Sequence, residues 1–171
     1  TGVQTCALPI YEEMFSHKPF VVIADAFARA GIATLRYDDR GFGESTGDVV
    51  LCTTEDLKND ALAGVQFLRG RFDNVGVIGH SEGGSIALML AADNQVDFVI
   101  SLAGMIVSGA ETLLDQNRHA LKAAGLPESE VDSYCRLLSD TFAAIKSKSP
   151  LPSADGYGLS DPLTQNYQAA L

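Results

Sequence analysis

Ser81 stands in the string Gly79-His80-Ser81-Glu82-Gly83-Gly84, a G-x-S-x-G pattern with one more glycine behind it. A serine hydroxyl becomes a useful nucleophile when it is exposed and a neighbouring base takes its proton. The pattern serves the first condition. On a sharp turn from strand to helix the hydroxyl projects above the sheet, and the flanking glycines let both elements approach without Cβ clashes. The same turn sets the backbone N–H of Glu82 at a helix N-terminus, where partial positive charge suits a developing oxyanion. The spacing therefore fits acyl transfer through serine. A glycine-rich turn that holds a phosphate, or nothing, would have the same composition.

For this chemistry the string must lie between a strand and a helix. Residues 74–79 form a short apolar run centred on Val75-Gly76-Val77-Ile78, and 82–92 is mostly apolar and reads as a packed helix. Upstream, a helix is expected from a Ser16 cap, with Pro19 in its first turn and Phe20, Ile23, Phe27 and Ala30 on one face. Gly31 is placed to end it. Residues 32–37 read as a buried strand and 38–48 as a polar, glycine-rich loop. Thr54 opens the next helix, with Glu55 and Asp56 in its first turn and a buried stripe of Leu57, Ala61, Gly64, Val65 and Leu68. Residues 96–102 are nearly continuous in apolar character, which predicts a strand buried on both faces. Helices alternating with strands in this way imply the α/β class, a mainly parallel sheet with helices on both faces.

The chain resembles the α/β-hydrolases from about residue 12 to residue 104. Two motifs carry the resemblance: the Ser81 string, and Arg36-Tyr37-Asp38-Asp39-Arg40-Gly41-Phe42-Gly43-Glu44-Ser45, similar to a D-R-G-x-G-x-S loop after the fourth strand. From His17-Lys18-Pro19-Phe20 through that loop it looks like bacterial esterases and acyl hydrolases related to the serine-aminopeptidase group. The resemblance implies a partial α/β-hydrolase fold, Ser81 as nucleophile and the Glu82 amide as an oxyanion donor. Gly79, His80, Gly83 and Gly84 would shape the elbow. Asp39 and Arg40 are expected to pair with each other and shape the loop beside the site, with Gly41 and Gly43 permitting its turns.

In this fold the nucleophile is followed along the chain by an acid and then a histidine. No further strand is expected after residue 102 to position them. His17 reads as a helix-start residue, His80 as packing beside the serine, and His119 as part of a solvated run. Asp140, Asp155 and Asp161 likewise lack a strand. The expectation is that neither acid nor base belongs to this chain, and that the chain alone hydrolyses little. The first oxyanion donor, due after the third strand, is expected upstream of Tyr11.

Residues 11–107 are assigned to the hydrolase core. Residues 108–148 read as two helices around Gly125-Leu126-Pro127, at the place of a cap. Leu113, Leu114, Leu121, Leu137, Leu138, Phe142 and Ile145 could pack over a site, or bury only the cap's own helices. Residues 149–171 read as loop with a last helical turn, leading toward a further part of the core. Residues 1–10 resemble a translated sequencing-library adapter, show neither helix nor strand periodicity, and are expected to lie outside the fold.

Composition sets wider bounds. The 171 residues are 46% hydrophobic and 20% charged, enough for one core, and the net charge of −10 argues against nucleic-acid binding. No apolar run approaches a bilayer span and no basic, apolar leader is present. Localisation is therefore read as cytoplasmic by default, with secretion open because residues 1–10 are set aside. Cys6, Cys52 and Cys135 have no disulfide or zinc spacing. No pattern implies a metal, nucleotide or flavin. The expected partner is a small-molecule ester or short peptide; a non-catalytic α/β binding module is the reading from another class.

Overall fold

The computed structural model describes residues 17–170 and, through the backbone, residues 2–5. It divides into two compact units, one ending at Ile106 and one running from Val107 to Leu171.

The first unit is built on a four-stranded sheet. In chain order its elements are β1 (Gly2–Thr5), α1 (Pro19–Arg29), β2 (Thr34–Leu35), α2 (Thr54–Arg69), β3 (Gly76–His80), α3 (Glu82–Ala92) and β4 (Phe98–Leu102). The strands lie in the order β2-β1-β3-β4 and every pairing is parallel. Gly2 stands opposite Thr34 on one side and Gly76 on the other. Gly2–Thr5, part of the stretch expected outside the fold, thus form an inner strand of the sheet. Four residues are too few to show a period, and partners on both sides decide their conformation.

Burial follows strand alternation. Ile78 meets α1 through a crevice lined also by Phe20, Ile23, Phe27 and Leu35. Val77, on the opposite face, packs with Leu57, Ala61, Val65 and Leu68 of α2 and Ile86, Ala87 and Leu90 of α3. Helices therefore cover both faces, as expected, and each fully buried valine or leucine contributes about 1.5–3 kcal/mol. Pro19 occupies the first turn of α1 and Gly31, at φ 75°, follows its end. The residue flanking its start is Lys18, without a side-chain cap; Ser16 lies outside the described residues. α2 opens at Thr54, as expected, and its cap is Thr53. Its hydroxyl accepts the Asp56 N–H while Asp56 accepts the Thr53 N–H.

Two strands differ from expectation. β2 keeps two of the six residues in 32–37, because Arg36 and Tyr37 already enter the loop. β4 is not buried on both faces: it pairs with β3 alone among the described residues, and Phe98 and Ile100 remain 45% and 38% exposed. Its apolar run belongs to an edge.

The second unit comprises α4 (Gly109–Ala123), α5 (Glu128–Ser147), a 3-10 turn (Ala154–Tyr157) and α6 (Asp161–Ala169). Ser108 and Glu111 form a capping box at α4. Gly125, at φ 80°, opens the turn into α5, and Arg118–Asp132 (2.6 Å) and Lys122–Glu128 (2.7 Å) cross the hairpin. The core is Tyr134 and Leu137 of α5 with Ala154, Leu163 and Tyr167. The segment after residue 148 thus holds more helix than the single last turn expected, in Ala154–Tyr157 and Asp161–Ala169. Pro162 lies in the first turn of α6, and Leu163 and Tyr167, four residues apart, face α5 together. Leu121 and Leu138 border this core, and Leu113 and Ile145 are exposed.

Candidate active site

The strand β3 leads straight into α3, and Ser81 is the single residue between them. It takes φ 52° and ψ −118°, a conformation that costs a non-glycine residue about 1–3 kcal/mol. Its surroundings hold it there. The Ser81 N–H donates to the Leu102 carbonyl at 2.9 Å, and the Ser81 carbonyl accepts from Gly84 and Ser85 at 3.0 and 3.2 Å. The side chain is exposed and makes no helix-capping hydrogen bond.

Glycine is required where backbones cross. A Cβ on Gly79 would run into the Gly83 carbonyl, so β3 and the first turn of α3 could not close around Ser81. Gly84 packs against Gly104 in the segment after β4. Ser101 donates to the Gly84 carbonyl at 3.3 Å, and Ser85 Oγ both accepts the Met105 N–H (2.9 Å) and donates to the Met105 carbonyl (3.1 Å). The elbow is thus clamped from the β4 side. Gly104 and Ser101 were not legible as site residues, because the signal is a cross-chain contact rather than a spacing.

Glu82 is the first residue of α3, and the first N–H groups of a helix have no intrahelical acceptor. Its amide is thereby available at the positive end of the helix. Its carboxylate accepts a 2.5 Å hydrogen bond from Thr54 Oγ1 at the start of α2.

The loop after β2 is held to the same helix. Arg40 donates from Nε and Nη2 to the two carboxylate oxygens of Asp60, both at 2.7 Å, and from Nη2 to the Asp56 carbonyl at 3.4 Å. The fork partner of Arg40 is Asp60 on α2, not the adjacent Asp39 as the motif suggested. A two-pronged bond needs a carboxylate facing the guanidinium, and a chain neighbour is poorly placed to offer one. Asp60 raises the Arg40 pKa further above its usual value through this hydrogen bond. Asp56 is lowered by its hydrogen bonds from Thr53. Asp39 is buried, and Gly41 and Gly43 take φ 77° and 53°, with the Asp38 carboxylate filling the space a Gly43 Cβ would need.

The histidines and carboxylates fall apart into local roles. His17 makes an isolated bridge before α1, and His80 ends β3, half-buried beside Ser81. His119 sits in α4 with Nδ1 2.8 Å from the Asp115 carbonyl of its own preceding turn. Asp140 accepts from the Tyr157 hydroxyl (2.6 Å), Asp155 from Ser153 Oγ (2.8 Å), and Asp161 opens α6. Among the described residues no group of histidine, cysteine or carboxylate side chains could hold a metal, and no helix is long and apolar enough to cross a membrane.

The fold has parallels among solved structures. The esterase PF2001 of Pyrococcus furiosus superposes with a TM-score of 0.57 at 21% identity, over 81% of this chain and 53% of that one. The α/β-hydrolase GrgF of a Penicillium species gives 0.51 at 19% identity, over 99% of this chain and 55% of that one. Both are likenesses of fold. In sequence, the chain is 32% identical over 129 residues to Esterase EstD of Thermotoga maritima, covering 74% of this chain and 31% of the esterase. The chain thus spans about a third of that relative and about half of the two solved structures. A model of the family described as serine aminopeptidase, S33, matches residues 17–151, a stretch that contains the Arg40 loop, the Ser81 elbow and the α4–α5 hairpin. With the elbow, the parallel sheet and this match in agreement, the chain belongs to the serine aminopeptidase S33 family of the α/β-hydrolase superfamily.

Proposed function

We infer that this chain carries the nucleophile and one oxyanion donor of a serine hydrolase that cleaves carboxylic esters through an acyl-enzyme. The observation that carries the reading is Ser81 itself: an exposed hydroxyl on a strained strand-to-helix turn, one residue before the first residue of α3. Strain of this kind persists where surrounding structure enforces it, and such positions cluster at active sites.

In the reaction, Ser81 Oγ attacks the ester carbonyl carbon as a general base takes the hydroxyl proton. Negative charge moves to the carbonyl oxygen, where the Glu82 N–H donates to it. The C–O bond to the alcohol then breaks, the base returns its proton to the leaving oxygen, and an acyl-Ser81 remains. Water, activated by the same base, releases the acid. We assign the base to none of His17, His80 or His119: His17 lies before α1, His80 ends β3, and His119 meets a carbonyl of its own helix. Asp140, Asp155 and Asp161 are likewise left out of the chemistry. The 171 residues alone are therefore expected to turn over p-nitrophenyl acetate weakly, with no loss on Ser81→Ala; Ser81-dependent turnover at ordinary enzyme rates would overturn that assignment.

Ester cleavage is favoured over peptide cleavage because relatives matched in sequence and in fold are named esterases. The family description supports the peptidase as the second reading. The test uses the whole protein: p-nitrophenyl esters compared with aminoacyl-nitroanilides, beside labelling by a fluorophosphonate. Ester turnover and labelling that both vanish in Ser81→Ala support the proposal. Faster nitroanilide turnover would move the assignment to a peptidase, and absence of labelling to a non-catalytic binding module.

A further inference from the structure

Thr54 and Glu82 are the first residues of α2 and α3, and a single hydrogen bond of 2.5 Å joins them, Thr54 Oγ1 donating to Glu82 Oε1. Both side chains are half-buried. The bond meets an electrostatic difficulty within the site. Glu82 offers its N–H to the oxyanion yet carries a carboxylate a few bonds away. Negative charge near a forming oxyanion raises the barrier, most of all where water is excluded. The positive end of α3 attracts that carboxylate toward the same first-turn amides that an oxyanion would use.

The geometry points to Thr54 as a positioning residue for the acyl-transfer step: its hydroxyl holds the Glu82 carboxylate against the start of α2, away from the oxyanion position. This rests on the acyl-enzyme reading given above. The start of α2 is a firm anchor. Thr53 and Asp56 close a capping box there, and Arg40 clasps Asp60 and the Asp56 carbonyl one turn along. At the start of α2, Glu55 pairs with Lys58 and Asp56 accepts from Thr53. At α2 the Glu82 charge also faces a second helix N-terminus, which favours it. The same bond limits how far Glu82, and so its amide, can shift during the reaction.

The hydroxyl and the charge can be separated by substitution. In the whole protein, Thr54→Val removes the donor with little change of shape, Thr54→Ser keeps it, and Thr54→Val/Glu82→Gln removes the charge that needs restraint. Steady-state hydrolysis of p-nitrophenyl acetate is expected to show kcat about tenfold lower in Thr54→Val with KM little changed. Thr54→Ser should stay within about twofold of the parent, and the double variant should recover most of the loss. A merely structural threonine would give no recovery in the double variant. Selective ¹⁵N-glutamate labelling supplies a readout independent of turnover, in which the Glu82 amide resonance should move in Thr54→Val and return in Thr54→Ser. Unchanged kcat in Thr54→Val, a double variant no better than the single, or an unmoved Glu82 amide would each overturn the proposal. Failure of a fluorophosphonate to label Ser81 in the parent protein is a different result: it removes the acyl-enzyme reading, and this role with it.

Discussion

Gly84 and Gly104 lie backbone against backbone: a Cβ built on Gly84 would stand 2.7 Å from the Gly104 Cα and 2.8 Å from Ser101 Oγ. The helix that carries the elbow can therefore approach the segment after β4 only while both residues lack side chains. Gly84→Ala should cost about 1–3 kcal/mol, the usual range for forcing atoms into a filled site. Urea unfolding would show it as a lower midpoint. Labelling of Ser81 in the whole protein should slow as well, since the displaced α3 carries the Glu82 amide.

Ser81 itself gives the opposite sign. At φ 52° and ψ −118° a glycine is far less strained than a serine. Ser81→Gly should raise stability by about 1 kcal/mol while abolishing covalent labelling. Ser81→Ala keeps the strain and should leave the unfolding midpoint near that of the parent chain. A Ser81→Gly midpoint at or below that of Ser81→Ala would contradict the account of the elbow.

The sheet's lower end has a pH signature. The Asp97 carboxylate accepts the Val75 N–H at 2.7 Å and meets Arg69 at 2.8 Å, and these hydrogen bonds, the backbone one foremost, hold its pKa below the ordinary 3.8. A carboxylate lowered on folding contributes stability that is complete above its unfolded pKa and is lost as pH falls through the folded one. Asp97→Asn should therefore lower the urea midpoint at pH 7 and narrow the gap to the parent chain below pH 3.8. An equal gap at both pH values would count against the linkage.

In the second unit, the Tyr167 hydroxyl lies 2.9 Å from both Thr141 Oγ1 and the Pro152 carbonyl. Thr141 donates to the Leu137 carbonyl and Tyr167 donates to that of Pro152. Tyr167→Phe should destabilise the chain by about 1–2 kcal/mol with the ring packing retained. Thermal unfolding of the variant beside Tyr167→Leu, which also loses the ring, would separate the hydroxyl from the packing.

Much of the first unit was legible because its signals are local. The apolar period of α2, the Gly31 stop and the run into Gly79 are each written within a few residues, and the observed Glu82–Ala92 helix matches its expected bounds. Contacts between distant segments were not legible. Nothing in the sequence separates Asp39 from Asp60 as the partner of Arg40, because that choice depends on how α2 crosses the loop. The apolar run at 96–102 reads as interior, yet β4 is an edge among the described strands, since hydrophobicity records the environment a strand prefers and not its neighbours. The α6 helix was hidden by its Ser, Pro and Asp content, which resembles loop until Leu163 and Tyr167 find Tyr134 and Leu137. Gly2–Thr5 shows the same dependence, as a strand through its pairing alone.

The outward side of β4 bears on how the chain behaves in bulk. Phe98-Val99-Ile100-Ser101-Leu102 contains no charge and no proline, the two devices that most often discourage strands from pairing with other molecules. What opposes association is long-range: a net charge of −10 spread over 171 residues keeps chains apart at low ionic strength. Added salt shortens that repulsion to about 10 Å at 0.1 M without weakening apolar contact at the strand. Turbidity and light scattering should therefore grow with salt, and a lysine at Ile100 should suppress them.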